Sequence, residues 1–243
     1  MTGPVTPRHD VQWTPAKIGA FWDFVSSVAA QAEQYFTHTA GPSVAHHAAS
    51  LVPLADKDVL DFGCGPGHLF PHLARAAPTM RYVGMDFSPG SIAELEQRWR
   101  GRPQFAGGAV LEFPVKAERQ FDAIVCCEVV EHLDDATLEQ VCDAFARLLR
   151  KGGRLYLTTP NAEVLDRNKV MCPDCGAVFH RWQHQRSWDA RTLVAQLAKH
   201  GFVEPRTFEL VYAPSWARAR AVTLLRKARG LPLPNLCYVG TKA

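Results

Sequence analysis

Three groups of residues have side chains and spacings suited to chemistry. The first is Glu128-Val129-Val130-Glu131-His132. On a helix, Glu128, Glu131 and His132 stand at i, i+3 and i+4 and share one face. Two carboxylates and an imidazole converging in this way can hold a divalent cation or remove a proton from a substrate. The second group is Cys172-Pro173-Asp174-Cys175-Gly176. Two thiolates two residues apart, with a glycine after the second, make half of a tetrahedral zinc site. His180 and His184 are the nearest further ligands, so the spacing predicts a structural zinc on Cys172, Cys175, His180 and His184. His184 cannot serve that zinc and a cation at Glu131 and His132 together, so the two metal readings compete for it. The third group is Asp61-Phe62-Gly63-Cys64-Gly65-Pro66-Gly67. Its alternate glycines let the backbone turn sharply and approach a ligand with no Cβ in the way. Apolar Val59, Leu60 and Phe62 read as the end of a buried strand, and the residues from His68 onward as a helix. The run is not G-x-G-x-x-G, because position 68 is His, and no Gly-Lys-Ser/Thr follows to make a P-loop. A second apolar stretch ends in Asp86, an acid placed to accept both hydroxyls of a ribose.

At these positions the chain resembles the class I S-adenosylmethionine-dependent methyltransferases. Their first motif, acid-x-Gly-x-Gly-x-Gly, is matched by Asp61, Gly63, Gly65 and Gly67, and their second-strand acid by Asp86. The resemblance runs through residues 55–160 and continues to the C-terminus only as a pattern of elements. It implies S-adenosylmethionine as cofactor, held by Asp61, Gly63, Cys64, Gly65, Gly67, Asp86, Phe87, Ala109, Cys127 and Glu128. The ribose would rest on Asp86 and the methionine part near Gly63 and Cys127. There is one departure from the pattern. Many relatives carry Gly-Asp-Ala after the third strand, where the acid reads the adenine amino group. Here the run is Gly107-Gly108-Ala109, so backbone groups near Ala109 and Val110 would have to substitute. The Glu-x-x-Glu-His pattern of residues 128–132 resembles two metal-assisted groups. One is the ubiquinone-biosynthesis O-methyltransferases, and the other methylates the 2′-hydroxyl at the 3′ end of small RNAs. Both also use a downstream His, a place held by His184. Other members of the superfamily carry Glu-His here without a metal. His132, oriented by Glu131, is therefore expected as the base. The expected activity is methyl transfer to a small-molecule acceptor, at oxygen. RNA 3′-terminal 2′-O-methylation, and a cofactor- or zinc-binding module without turnover, are the alternatives.

These residues need a scaffold, and the rest of the chain supplies its pattern. A chain of 243 residues with 47% hydrophobic content can bury one full core. Apolar runs at 59–62, 81–86, 105–111, 121–127, 154–158, 202–212 and 236–241 alternate with helical periodicity. That alternation predicts an α/β fold with a doubly wound, seven-stranded, mainly parallel, Rossmann-like sheet. Residues 1–54 are expected as an N-terminal helical cap, and 55–243 as the main domain. Within the cap, residues 1–12 are expected to be loose, residues 15–36 helical, and Gly41-Pro42 a break before a second short helix. Tyr35, Phe36 and His38 stand just before that break as candidates to line an acceptor pocket. Residues 162–187 form the Cys/His insertion, and Lys151-Gly152-Gly153 reads as a helix stop. Residues 213–230 read as a basic helical connection with Arg218, Arg220, Arg226, Lys227 and Arg229, suited to an anionic acceptor. Nucleic acid is the weaker partner, because the net charge is only +3 and no aromatic stripe offers stacking for bases. Seven scattered cysteines, no signal peptide and no apolar run of membrane-span length lead to the expectation of a cytoplasmic protein.

Overall fold

A computed structural model describes residues 7–28, 35–115 and 119–243. In chain order the elements are β1 (His9–Asp10), α1 (Pro15–Ser27), α2 (Phe36–Leu51), β2 (Asp58–Phe62), α3 (Phe70–Ala76), β3 (Arg81–Asp86), α4 (Pro89–Trp99), β4 (Phe105–Val110), β5 (Phe121–Cys127), α5 (Asp135–Leu148), β6 (Leu149–Pro160), β7 (Lys169–Met171), β8 (Ala177–His180), α6 (Ala190–Ala198), β9 (Phe202–Leu210), α7 (Trp216–Ala228) and β10 (Asn235–Lys242). Short 3-10 turns cover Val130–His132 and Leu165–Asn168.

The main sheet follows from burial. β2 is buried at every position and β5 at all but one, as strands covered on both faces must be. The sheet order is β4-β3-β2-β5-β6-β10-β9, with β10 antiparallel to both of its neighbours. The remaining pairs are parallel, so β2, β3, β5 and β6 all end at one edge. On one face, Val44, Ala45 and Ala48 of α2 pack with Leu73, Leu95 and Tyr156. On the other, Phe145 and Leu148 of α5 and Leu193 and Leu197 of α6 pack with Phe62 and Leu157. The helices start where side chains satisfy free N–H groups. Ser88 caps α4, Asp134 caps α5, and Asp189 forms a reciprocal capping box with Thr192 on α6.

The seven-stranded α/β architecture matches the expectation from sequence, and three local expectations do not hold. His9 and Asp10, expected in a loose segment, pair in parallel with Ala177 and Val178 of β8. α2 runs unbroken from Phe36 to Leu51 with Pro42 inside it. Packing outweighs local propensity there, because Gly41 comes so close to α3 that an added Cβ would lie 2.5 Å from the His72 ring. Lys151-Gly152-Gly153 lies within β6, which begins directly after α5. The insertion holds a β7–β8 hairpin. The expected helix over 15–36 is α1 as far as Ser27, and its stretch 29–34 lies outside the described residues.

Candidate active site

The glycine loop leaves β2 and is stitched to the end of β3. The N–H groups of Gly63 and Cys64 both donate to the Met85 carbonyl, at 2.7 and 3.0 Å. Gly65 N–H donates to Asp86 Oδ2 at 2.8 Å, and Ser88 N–H to Asp86 Oδ1 at 2.9 Å. A carboxylate has about four lone-pair positions, so two remain for ligand hydroxyls. A Cβ at Gly67 would lie 2.3 Å from Leu95 Cδ1, so that glycine serves packing. A Cβ at Gly65 would meet nothing nearer than Tyr35 Cε1 at 4.0 Å, so Gly65 faces open space.

Acidic groups crowd this edge. Asp61 is buried and accepts the Tyr82 hydroxyl at 2.8 Å. Burial lifts its pKa to about 7, against the Tyr82 hydrogen bond and with help from the Asp86 charge. Burial also raises Asp86 and brings Glu128 to about 7. Glu131 stands well above the ordinary carboxyl range through burial and the nearby Glu128 charge. Among the described residues, no Lys or Arg forms an ion pair with these four acids. Such a site favours a ligand that brings positive charge. The other expected cofactor contacts border it. Phe87 is exposed beside Phe113, with ring centroids 5.3 Å apart. Ala109 pairs with Met85 on β3, and the Gly108 N–H donates to Glu96 Oε1 at 2.6 Å, which ties β4 to α4. The Cys64 and Cys127 thiols are buried and pushed up in pKa by that burial.

Beyond β5, Glu128 takes a left-handed φ of +54° and the 3-10 turn begins only at Val130. Glu128 accepts the Thr158 hydroxyl at 2.9 Å, and Glu131 Oε2 accepts the Thr159 hydroxyl at 3.0 Å. The two carboxylates thus bind successive threonines at the end of β6, and Glu128 stays outside the group that Glu131 joins. The expected single face of Glu128, Glu131 and His132 is therefore split. Instead, Glu131 and His132 meet His184, and ligand atoms of the three lie within 4.8 Å of one another. Glu131 Oε1 and His132 Nδ1 are buried without a hydrogen-bond partner among the described residues. His132 Nε2 is 3.7 Å from Glu131 Oε1, too far for a hydrogen bond. Burial first, and then His184, lower the His132 pKa to about 3. The ring is thus neutral with an available lone pair, a poor fit to a base that titrates near neutrality.

A roof spans the gap between loop and cluster. Trp22 of α1 lies edge-on to His132 at 4.9 Å between centroids and 6.0 Å from Tyr35. Tyr35 in turn lies 5.7 Å from His68, which meets His38 at 5.1 Å. Phe36 turns to Tyr212 instead. Trp22 Nε1 donates to Gln183 Oε1 at 3.0 Å, and Gln183 Nε2 donates to the His132 carbonyl at 2.9 Å. Gln183 is fully buried with φ +61°, an uncommon backbone state for a residue with a side chain. Sequence reasoning passed over Trp22, which sits in an ordinary apolar helical stripe. It also passed over Gln183 and Glu163, which no spacing marks.

The Cys/His zinc set is not assembled. Cys172 and Cys175 lie in the turn of the β7–β8 hairpin, where Cys172 N–H donates to the Ala177 carbonyl at 2.9 Å. His180 pairs with Lys169 at the other end of that hairpin. Three residue steps of extended strand take the chain from Ala177 to His180, a span of roughly 10 Å. There His180 and His184 both bind Glu163, and among the described residues neither cysteine joins a metal-ligating group. The strand between the two halves of the motif keeps them apart.

A family model described as a methyltransferase domain matches residues 36–203. A ubiquinone biosynthesis O-methyltransferase of Salmonella newport (strain SL254) is 34% identical over 109 residues, 44% of this chain and 44% of that protein. The match thus spans less than half the length of the curated relative. Among solved structures, the [4+2]-cyclase SpnF superposes with a TM-score of 0.66 at 14% identity, covering 98% of this chain and 99% of that one. The complex between the Haloferax volcanii Trm112 methyltransferase activator and the putative methyltransferase gives a TM-score of 0.63 at 17% identity, covering 91% of this chain and 96% of that one. At these identities the structures show the shared fold.

Proposed function

We propose that this chain, which belongs to the methyltransferase-domain family, transfers a methyl group from S-adenosylmethionine to an oxygen of a small-molecule acceptor. The cofactor suits the site on two counts. Gly65 leaves open space at the loop, and four acids, Asp61 and Glu131 buried and Asp86 and Glu128 half-buried, have no Lys or Arg partner among the described residues, while the cofactor carries a sulfonium and an ammonium charge. Asp86 would take the ribose hydroxyls on its two free lone-pair positions. Phe87 and the backbone at Ala109 would border the adenine, and Glu128 and Cys127 the methionine end. When bound, the cofactor supplies the electrophilic methyl group.

The observation that carries the acceptor side is the convergence of Glu131, His132 and His184 at the sheet edge, with buried Glu131 Oε1 and His132 Nδ1 unsatisfied. One carboxylate and two imidazoles suit a divalent cation, which would make an acceptor hydroxyl easier to ionise. The residues' own part is to hold that hydroxyl in line with the methyl group and to exclude water beneath Trp22 and Tyr35. A roof of aromatic rings favours a compact acceptor with a planar body over an RNA end. The basic residues of α7 take no part in this reading. Arg218, Arg220, Lys227 and Arg229 are exposed, and α7 seats itself by stacking Trp216 on His46 and His47. The reading requires no zinc at Cys172 and Cys175. No described helix is long and apolar enough to cross a membrane.

The test is transfer of labelled methyl from S-adenosylmethionine to a panel of phenols, catechols, amines and RNA oligonucleotides. The expected result is O-methylation of hydroxylated aromatics, lost in EDTA and restored by Mn²⁺ or Mg²⁺. Transfer confined to RNA or amines would replace the acceptor assignment. Full O-methylation in EDTA would remove the cation from it.

A further inference from the structure

Glu163 lies in the insertion, outside every motif that the sequence displays, yet three side chains converge on it. Asn168 Nδ2 donates to its Oε1 at 2.9 Å, and His180 Nε2 approaches the same oxygen at 3.2 Å. His184 Nδ1 binds its Oε2 in a short contact. The protons on both rings can be assigned by counting donors. His180 Nδ1 accepts the backbone N–H groups of Trp182 at 3.3 Å and His184 at 3.2 Å. That nitrogen therefore carries no proton, and the His180 proton sits on Nε2, donated to Glu163. With both nitrogens of His180 engaged, Glu163, His180 and His184 form a hydrogen-bond network rather than a second metal site. Asn168 Nδ2 and the His180 Nε2–H both donate to Oε1, so the carboxyl is surrounded by donors and accepts on both oxygens, and the His184 nitrogen facing Oε2 is the one that bears hydrogen.

We propose that Glu163 is a positioning residue that fixes His184 as its Nδ1–H tautomer, leaving Nε2 as the one lone pair His184 can offer to Glu131 and His132. The arrangement has the form of a carboxylate–imidazole–metal relay, in which an outer carboxylate orients the ligand ring and raises its basicity. It rests on the cation reading of the site only for its purpose; the tautomer itself is a property of the metal-free protein. The stacking of His180 on His184, 4.4 Å between centroids at 17°, holds the ring plane from the other side.

Two measurements test it. In metal-free wild-type protein carrying ¹⁵N-histidine, long-range ¹H–¹⁵N correlation at pH 8 should place the His184 proton on Nδ1. A proton on Nε2, or on both nitrogens, overturns the proposal without reference to any variant. Glu163→Gln should then give a mixture of tautomers and weaken Mn²⁺ binding, followed by calorimetry, about tenfold to hundredfold. Glu163→Asp, which keeps the charge, should recover part of that loss. A folded Glu163→Gln protein with wild-type Mn²⁺ affinity also overturns the proposal. Wild-type protein that binds no Mn²⁺ sinks the cation reading instead, and the tautomer result then decides the role of Glu163 by itself.

Discussion

At Asp86 one carboxylate accepts the N–H of Gly65 and the N–H of Ser88 before any ligand arrives. The acid that would bind the ribose therefore also shapes the loop beside it, so its removal acts twice. Asp86→Ala should weaken S-adenosylmethionine binding more than tenfold, about 1.4 kcal/mol or more, by titration calorimetry. Wild-type affinity in that variant would remove Asp86 from the cofactor site. His132 presents the opposite case, a residue whose environment changes its expected chemistry. Its type and its place after Glu131 suggest a base, but a buried ring lowered to about 3 keeps its lone pair free at neutral pH and binds a proton only weakly. Nothing in the order of residues could have shown this. The shift comes from burial beneath Trp22 and from His184, both remote in sequence.

At the scale of elements, the glycine loop and its flanking strands were legible because each strand is a buried apolar run ending in punctuation. The spacing of Asp61, Gly63, Gly65, Gly67 and Asp86 fixes where β2 and β3 end. The Glu128–His132 stretch was legible as chemistry but not as geometry. Helical periodicity assumes a helix from the first residue, and Glu128 stands outside it in a left-handed state. The cysteine motif shows a similar limit, since counting residues to His180 takes no account of the strand in which they are extended. The loop offers a clean test of packing against conformation. Gly67 and Gly101 both have left-handed φ, +82° and +87°, but a Cβ at Gly67 would strike Leu95 whereas one at Gly101 meets nothing within 4 Å. Gly101→Ala should cost about 1 kcal/mol from backbone strain alone. Gly67→Ala should cost about 2–4 kcal/mol through strain and overpacking together. Equal shifts in urea midpoint for the two variants would refute the packing role of Gly67.

Across the whole molecule, the sheet is tied at the end away from the site by a knot of charge. Asp58 accepts Arg81 at 2.8 Å, Arg119 at 2.7 Å and Arg150 at 3.0 Å, and its backbone N–H donates to Asp122. Its pKa falls well below the ordinary 3.8, chiefly through the Arg81 hydrogen bond, against burial and with help from Arg119 and Arg150. A depressed carboxyl contributes its stability above the unfolded pKa and loses it as pH falls toward the folded one. Asp58→Asn should therefore destabilise the protein at pH 7 by about 1–3 kcal/mol, moderated by the solvent-facing arginines. The gap to wild type should be full down to about pH 4 and narrow below it. Urea unfolding at pH 7 and pH 3 checks this, and a gap that widens at pH 3 would contradict it. At the opposite end, β1 runs beside β8, so the stretch that carries Trp22 and the stretch that carries His184 are joined to each other as well as to the sheet. In the proposed reading, the surface that would contact the cofactor comes from residues 61–128, and the surface that would lie above the acceptor from two flanking stretches outside that span. Divergence could therefore rework what is methylated while leaving the means of methylation untouched, provided that the two flanking stretches change in concert.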